Sequence, residues 1–195
     1  MKELENKILS EGIVIGSDIL KVGSFINHKI DTDLLFKLGE YFSKKFDGVT
    51  KILTIEASGI AFAVGVARYY NNCEVVFAKK SKSKTVDMNA VYQTTIKSFT
   101  RGTESIVTVD KPFLNKGDNI LIVDDFLAEG NAALGLIDLC KQAGANVIGV
   151  AAVIEKGFQG GRGKIEDLGI RVESGAIVKE FKDGKLGRIS LERAL

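Results

Sequence analysis

The sequence predicts an α/β fold: one domain built on a mainly parallel sheet flanked by helices. Three observations carry that expectation. Strand-like runs alternate with segments of helical period. The run 119–123 is continuously apolar, the pattern of a strand buried on both faces of a parallel sheet. A chain of 195 residues with 45% hydrophobic content suits one substantial core better than two.

In chain order, residues 1–10 alternate Lys2, Glu3, Glu5 and Lys7 with Leu4, Ile8 and Leu9, an amphipathic helix without the apolar centre of a secretory signal. Short apolar runs follow at 13–15 and 19–22, parted by Gly16, Ser17 and Asp18. Asp31 is a candidate N-cap for a helix whose Leu34, Leu35, Leu38, Phe42 and Phe46 recur at helical spacing until Gly48. A strand at 51–55, a break at Glu56-Ala57-Ser58-Gly59, a small-residue helix at 60–70 and a strand at 74–78 make a βαβ unit. Residues 79–100 open with Lys79, Lys80, Lys82 and Lys84 and alternate only weakly afterwards. A segment of that kind is expected to be a functional lid, about 81–100. An edge strand at 104–109, the buried strand at 119–123, a helix at 131–142 closed by Gly144, a strand at 146–154, a short helix to Leu168 and a terminal hairpin turning at Asp183-Gly184 complete the reading.

Composition excludes several chemistries. The 27 basic and 25 acidic residues leave a net charge of +2, too little for a global field that would draw the protein onto nucleic acid. No apolar run approaches the roughly 20 residues of a membrane helix, so a cytoplasmic protein is expected. Cys73, Cys140 and the single His28 offer no zinc or redox spacing and no catalytic triad.

In parallel sheets the ligand sits at the carboxyl ends of the strands. The breaks after Ile55, Ala78, Val123 and Ile154 all leave such ends, so four loops are expected to converge. The most informative stretch runs from Ile120 to Ala132: an apolar strand delivers Asp124 and Asp125, and a short loop turns at Gly130 into a helix. Amides at a helix N-terminus suit a phosphate, expected at Ala128, Glu129, Gly130, Asn131 and Ala132. Two ionised carboxylates accept hydrogen bonds from neighbouring hydroxyls and stabilise positive charge developing on a sugar. Phosphate plus diol points to ribose 5-phosphate.

This stretch resembles the signature of the type I phosphoribosyltransferase family. Gly12-Ile13-Val14, Leu20-Lys21-Val22, Phe25-Ile26-Asn27-His28 and Val153 through Gln159 extend the resemblance to the purine branch that acts on xanthine. The resemblance implies transfer of a 5-phosphoribosyl group from phosphoribosyl pyrophosphate to xanthine, a homodimer, and magnesium held mainly by the substrate diphosphate. It also implies a hood from about 1–30 and 157–195. Alternatives are a relative preferring guanine or hypoxanthine, or a non-catalytic regulator on the same fold. Asp124 and Asp125 would be catalytic, and Leu20, Asn27 and Lys156 would hold the base, with Lys156 on the 6-oxo group. Ser58 would belong to the pyrophosphate loop, which lacks the family's usual arginine. Lys79 or Lys80 would then supply charge, with the weight on Lys79. Ala128 and Ala132 carry no hydroxyl, so phosphate binding is expected to depend on amides. An acid present at the Ala128 position in hypoxanthine-guanine relatives is missing, leaving Glu129 as the nearest proton acceptor or simply a loop residue. Phe158 reads equally as a stacking ring or a packed one.

Overall fold

The computed structural model describes residues 1–16, 19–81, 89–97, 104–182 and 188–191. The chain begins with α1 (Lys2–Glu11) and a two-stranded antiparallel hairpin, β1 (Ile13–Ile15) with β2 (Ile19–Lys21). A π-helical turn, Gly23–Asn27, leads to α2 (Thr32–Ser43). Asp31 caps α2 as expected, its side chain accepting from the Leu34 N–H at 3.1 Å. Leu34, Leu38 and Phe42 are buried on one stripe of the helix. Each contributes on the order of 1.5–3 kcal/mol by leaving water.

The main sheet contains β3 (Lys51–Ile55), β4 (Glu74–Ser81), β5 (Val91–Lys97), β6 (Glu104–Asp110), β7 (Asn119–Leu127), β8 (Asn146–Lys156), β9 (Val172–Lys182) and β10 (Arg188–Leu191). Among the described residues the strand order is β10-β9-β8-β7-β3-β4-β6-β5. The pairs β9-β8, β8-β7, β7-β3 and β3-β4 are parallel, and the outer pairs are antiparallel. Helices α3 (Gly59–Ala67), α4 (Asn131–Ala143) and α5 (Gly161–Glu166) connect the strands. One core lies where α1, α2 and α3 meet the sheet and includes Leu121 and Val123. The other, with Ile120 and Ile122, lies under α4 and α5. Alternate residues of β7 thus feed opposite cores, which is why its sequence is apolar throughout.

The chain leaves β3 outward through α3 to β4 and leaves β7 in the other direction through α4 to β8. The strand order therefore reverses between β3 and β7, and the crevice at their carboxyl ends is the place such sheets keep for ligands.

Two expectations change. The strand at 104–110 is not at the edge. It lies between β4 and β5, and β5, formed inside the weakly patterned segment, is the outermost strand on that side among the described residues. Only Val91 and Ile96 of β5 are buried, too few inward residues to register as a strand in sequence. The strand expected to end at Ala78 continues to Ser81, because beyond Ala78 it leaves β3 and pairs with β6. Of the expected lid, residues 82–88 and 98–100 lie outside the described residues, as does the expected turn at Asp183-Gly184. Among the described residues no helix is long and apolar enough to cross a membrane.

Candidate active site

Strand β7 carries the acidic pair within its own length rather than in the loop that follows. Neighbours in a strand point in opposite directions. Asp124 lines a cavity of about 190 Å3 with Lys80, Phe126 and the loop 128–132. Asp125 turns to the N-terminal segment, where Asn27 Nδ2 donates to its Oδ2 at 2.5 Å. The Asp125 N–H donates to Asp124 Oδ1 at 2.9 Å. Both carboxylates are buried. Burial, and then the neighbouring Asp125 charge, push the Asp124 carboxyl well above the usual carboxylate range, and Lys80 opposes the shift.

The loop after β7 is shaped by Gly130, which stands at φ +85° as the residue before α4. Few residues besides glycine take this left-handed conformation cheaply. No side chain caps the helix here, so its first amides remain open to an anion in the cavity. The loop is held from outside its own segment: the Gly161 N–H donates to the Ala128 carbonyl at 3.0 Å, and Lys164 Nζ to the Glu129 carbonyl at 2.9 Å. Asn131 Nδ2 donates to Glu129 Oε2 at 3.2 Å. A glutamate occupied this way inside the loop supports its reading as a loop residue.

The loop 56–59 stands beside this cavity. Its Glu56–Ala57 peptide is cis, and Ser58 occupies the position before α3 with no capping bond from its side chain. A Cβ placed on Gly59 would come within 3.2 Å of Asp124 Oδ1 and 2.3 Å of Thr54 Oγ1. The loop therefore approaches the carboxylate as closely as a glycine allows.

The structure separates the two candidate lysines. Lys80 lines the cavity with Asp124, and its N–H donates to Glu56 Oε1 at 2.6 Å. Lys79 instead lines a second groove, about 640 Å3, with Lys51, Phe77 and Phe113. Sequence analysis put the weight on Lys79, which does not line this cavity, whereas Lys80 does. The strand runs past Ala78, and its alternation sends Lys80, not Lys79, inward.

Of the residues expected to hold a base, Lys156 ends β8 nearly buried, with Nζ 5.7 Å from the centre of the Phe126 ring. Asn27 reaches the site through Asp125, and Leu20 is buried in β2 within the core against which Phe126 packs. Phe158 is 42% exposed and meets Phe181 edge to face with ring centres 5.4 Å apart. Sequence reading missed Phe126 as the ring between Lys156 and the cavity, because it reads as one more apolar strand residue. It also missed Arg162, whose guanidinium grips the buried Glu155 through bonds of 2.9 and 2.6 Å.

Comparison with known proteins bears on the family and the fold. The phosphoribosyl transferase domain family matches residues 28–178. The chain is 55% identical over 186 residues to the xanthine phosphoribosyltransferase of Clostridioides difficile, covering 94% of this chain and 97% of that one. It is 51% identical over 188 residues to xanthine phosphoribosyltransferase 1 of Clostridium perfringens, covering 95% and 98%. Among solved structures, adenine phosphoribosyltransferase from Trypanosoma brucei, crystallised with AMP, pyrophosphate and ribose-5-phosphate, shares the fold with a TM-score of 0.71. It is 17% identical and covers 87% of this chain and 77% of its own. With a β-strand acidic pair, an open helix N-terminus behind Gly130 and a match over most of its length, the chain belongs to the phosphoribosyltransferase family.

Proposed function

We propose that the protein transfers the 5-phosphoribosyl group of phosphoribosyl pyrophosphate to xanthine, yielding xanthosine 5'-monophosphate and pyrophosphate. One observation carries the reading: Asn27 Nδ2 donates to Asp125 Oδ2 at 2.5 Å, joining the residue read as a donor to the base to a carboxylate read as facing the ribose. Relatives of that name match over nearly the whole chain.

In this reading the amides of Ala128, Glu129, Gly130, Asn131 and Ala132 hold the 5-phosphate, and Asp124 and Asp125 face the ribose. Lys80 and the Ser58 loop meet the diphosphate. The bond from C1 of the sugar to the diphosphate oxygen breaks with its electron pair leaving on pyrophosphate. The two carboxylates stabilise the oxocarbenium-like centre, and a base nitrogen supplies the new bond. Lys156 donates to the 6-oxo group, and Asn27 to the 2-oxo group that distinguishes xanthine. Catalysis rests on orientation and charge.

Magnesium belongs to the proposal. Among the described residues no group of three or more His, Cys, Asp or Glu could hold a metal ion. A hard cation here would take its oxygen ligands mainly from the substrate diphosphate and water. When bound, it would neutralise charge on the leaving group. A homodimer is also part of the reading, supported by Phe77 and Phe113, exposed beside the Lys79 groove. The test is an assay with labelled phosphoribosyl pyrophosphate, magnesium and each of xanthine, guanine, hypoxanthine and adenine. Xanthosine 5'-monophosphate should form fastest, and a preference for adenine would defeat the assignment.

A further inference from the structure

Glu155 is a carboxylate with 2% exposure, next in sequence to the lysine assigned to the base. An ion is buried this deeply only when its partners are well placed. Here Arg162 Nε donates to Oε1 at 2.9 Å, Arg162 Nη2 to Oε2 at 2.6 Å, and Ser174 Oγ to Oε2 at 2.5 Å. The fork is bidentate, the geometry in which arginine is most directional. Arg162 Nη1 also donates to the Val172 carbonyl at 2.8 Å and to Glu166 at 3.0 Å. The guanidinium therefore ties α5 to β8 and β9 together.

The other side of α5 is pressed on the phosphate loop. A Cβ on Gly161 would lie 2.3 Å from the Ala128 carbonyl oxygen and 2.6 Å from the Gly130 nitrogen, so the backbones touch with no side chain between them. Lys164 adds its bond to the Glu129 carbonyl. Helix α5 thus spans from the strand that ends in Lys156 to three residues of the loop.

We infer that Arg162 is a positioning residue, setting the distance between the base held at Lys156 and the sugar phosphate held at 128–132. The inference rests on the functional reading above. The new bond joins a base nitrogen to the sugar C1, and each is held by a different half of this bracket. A misplacement of about 1 Å between reacting groups can cost about a hundredfold in rate while leaving each group bound. Arg162 touches neither substrate.

The test uses the full chain in two forms, Arg162→Lys and the double variant Glu155→Gln/Arg162→Gln. The first keeps the cation but loses the fork, and the second removes the buried charge that an unpaired Glu155 would carry. Turnover with xanthine, the xanthine KM, calorimetric affinity for phosphoribosyl pyrophosphate with magnesium, and Tm are measured on each. Expected is a fall in kcat of fivefold or more, with affinity and KM each moving less than threefold in folded protein. A smaller fall in kcat overturns the inference, because a support that serves stability alone lowers Tm without this split. A loss of affinity equal to the loss of turnover also overturns it, by making Arg162 a prop of the phosphate loop only. If Arg162→Lys does not fold, the double variant decides, and loss of fold in both overturns it. A wild type that transfers nothing removes the functional reading as well, whereas normal variants beside an active wild type remove this inference alone.

Discussion

Gly130→Ala isolates the turn on which phosphate binding depends. Adding a Cβ at φ +85° forces a left-handed conformation that costs about 1–2 kcal/mol for a residue with a side chain. The new carbon would also stand 3.1 Å from Gly161 Cα and 3.2 Å from the Gly161 carbonyl oxygen. These neighbours are backbone, and Gly161 has little freedom to retreat because its N–H is bonded to Ala128. If the loop keeps its shape, the cost appears as stability, a Tm loss of about 2–8 °C for a chain of this size. If the loop shifts, the cost appears as weaker binding of phosphoribosyl pyrophosphate, about 5- to 30-fold from the backbone conformation alone. Calorimetric titration and thermal denaturation of one preparation capture both. Gly163→Ala is the control: no atom lies within 4 Å of its added Cβ, and it should be neutral or slightly stabilising. Unchanged affinity together with unchanged Tm in Gly130→Ala would refute the argument that this loop is conformationally locked.

Lys80→Met should raise the KM for phosphoribosyl pyrophosphate at least several-fold more than Lys79→Met, since only Lys80 lines the cavity. Steady-state kinetics giving equal effects would count against that placement. Asn27→Ala should shrink the preference for xanthine over hypoxanthine by about 5- to 150-fold, the loss of one buried donor at about 1–3 kcal/mol, read as a ratio of kcat/KM values. Asp124→Asn should abolish most turnover yet raise Tm at neutral pH. The native carboxyl binds its proton more tightly than the unfolded one, so wild-type stability falls as pH rises above the unfolded value of 3.8 through the raised native value. The Asn variant lacks this loss, and its advantage should vanish towards pH 4. An equal Tm difference from wild type at pH 4 and pH 7.5 would contradict the raised proton affinity of this buried carboxyl.

Signals that act over a few residues were legible in the sequence. Asp31 as a cap, Gly144 at φ +70° closing α4, and the run into Asp124 all depend on neighbours within one turn or one strand, and all stand where expected. What was not legible depends on distant partners. Nothing near Asn27 announces that it meets Asp125, 98 residues away. Lys79 and Lys80 cannot be told apart until it is known that β4 continues beyond β3 to pair with β6, because only then is the facing of each fixed. Likewise Arg162 reads as a surface charge on a short Gly-rich helix until β8 brings the buried Glu155 beneath it. Edge or interior position for the strand at 104–110 is a property of the assembled sheet and not of its own residues.

The first helix is covered by one of the last strands. Leu4 and Ile8 of α1 are fully buried, and Leu4 Cδ2 would sit 2.9 Å from a Cβ on Gly175 in β9. On the ribosome, α1 emerges roughly 160 residues before the start of β9. At about 5–20 residues per second, its apolar stripe waits about 8–30 s for its cover. A nascent chain stalled before Val172 would therefore present that stripe to chaperones even if its β3–β7 centre had already formed.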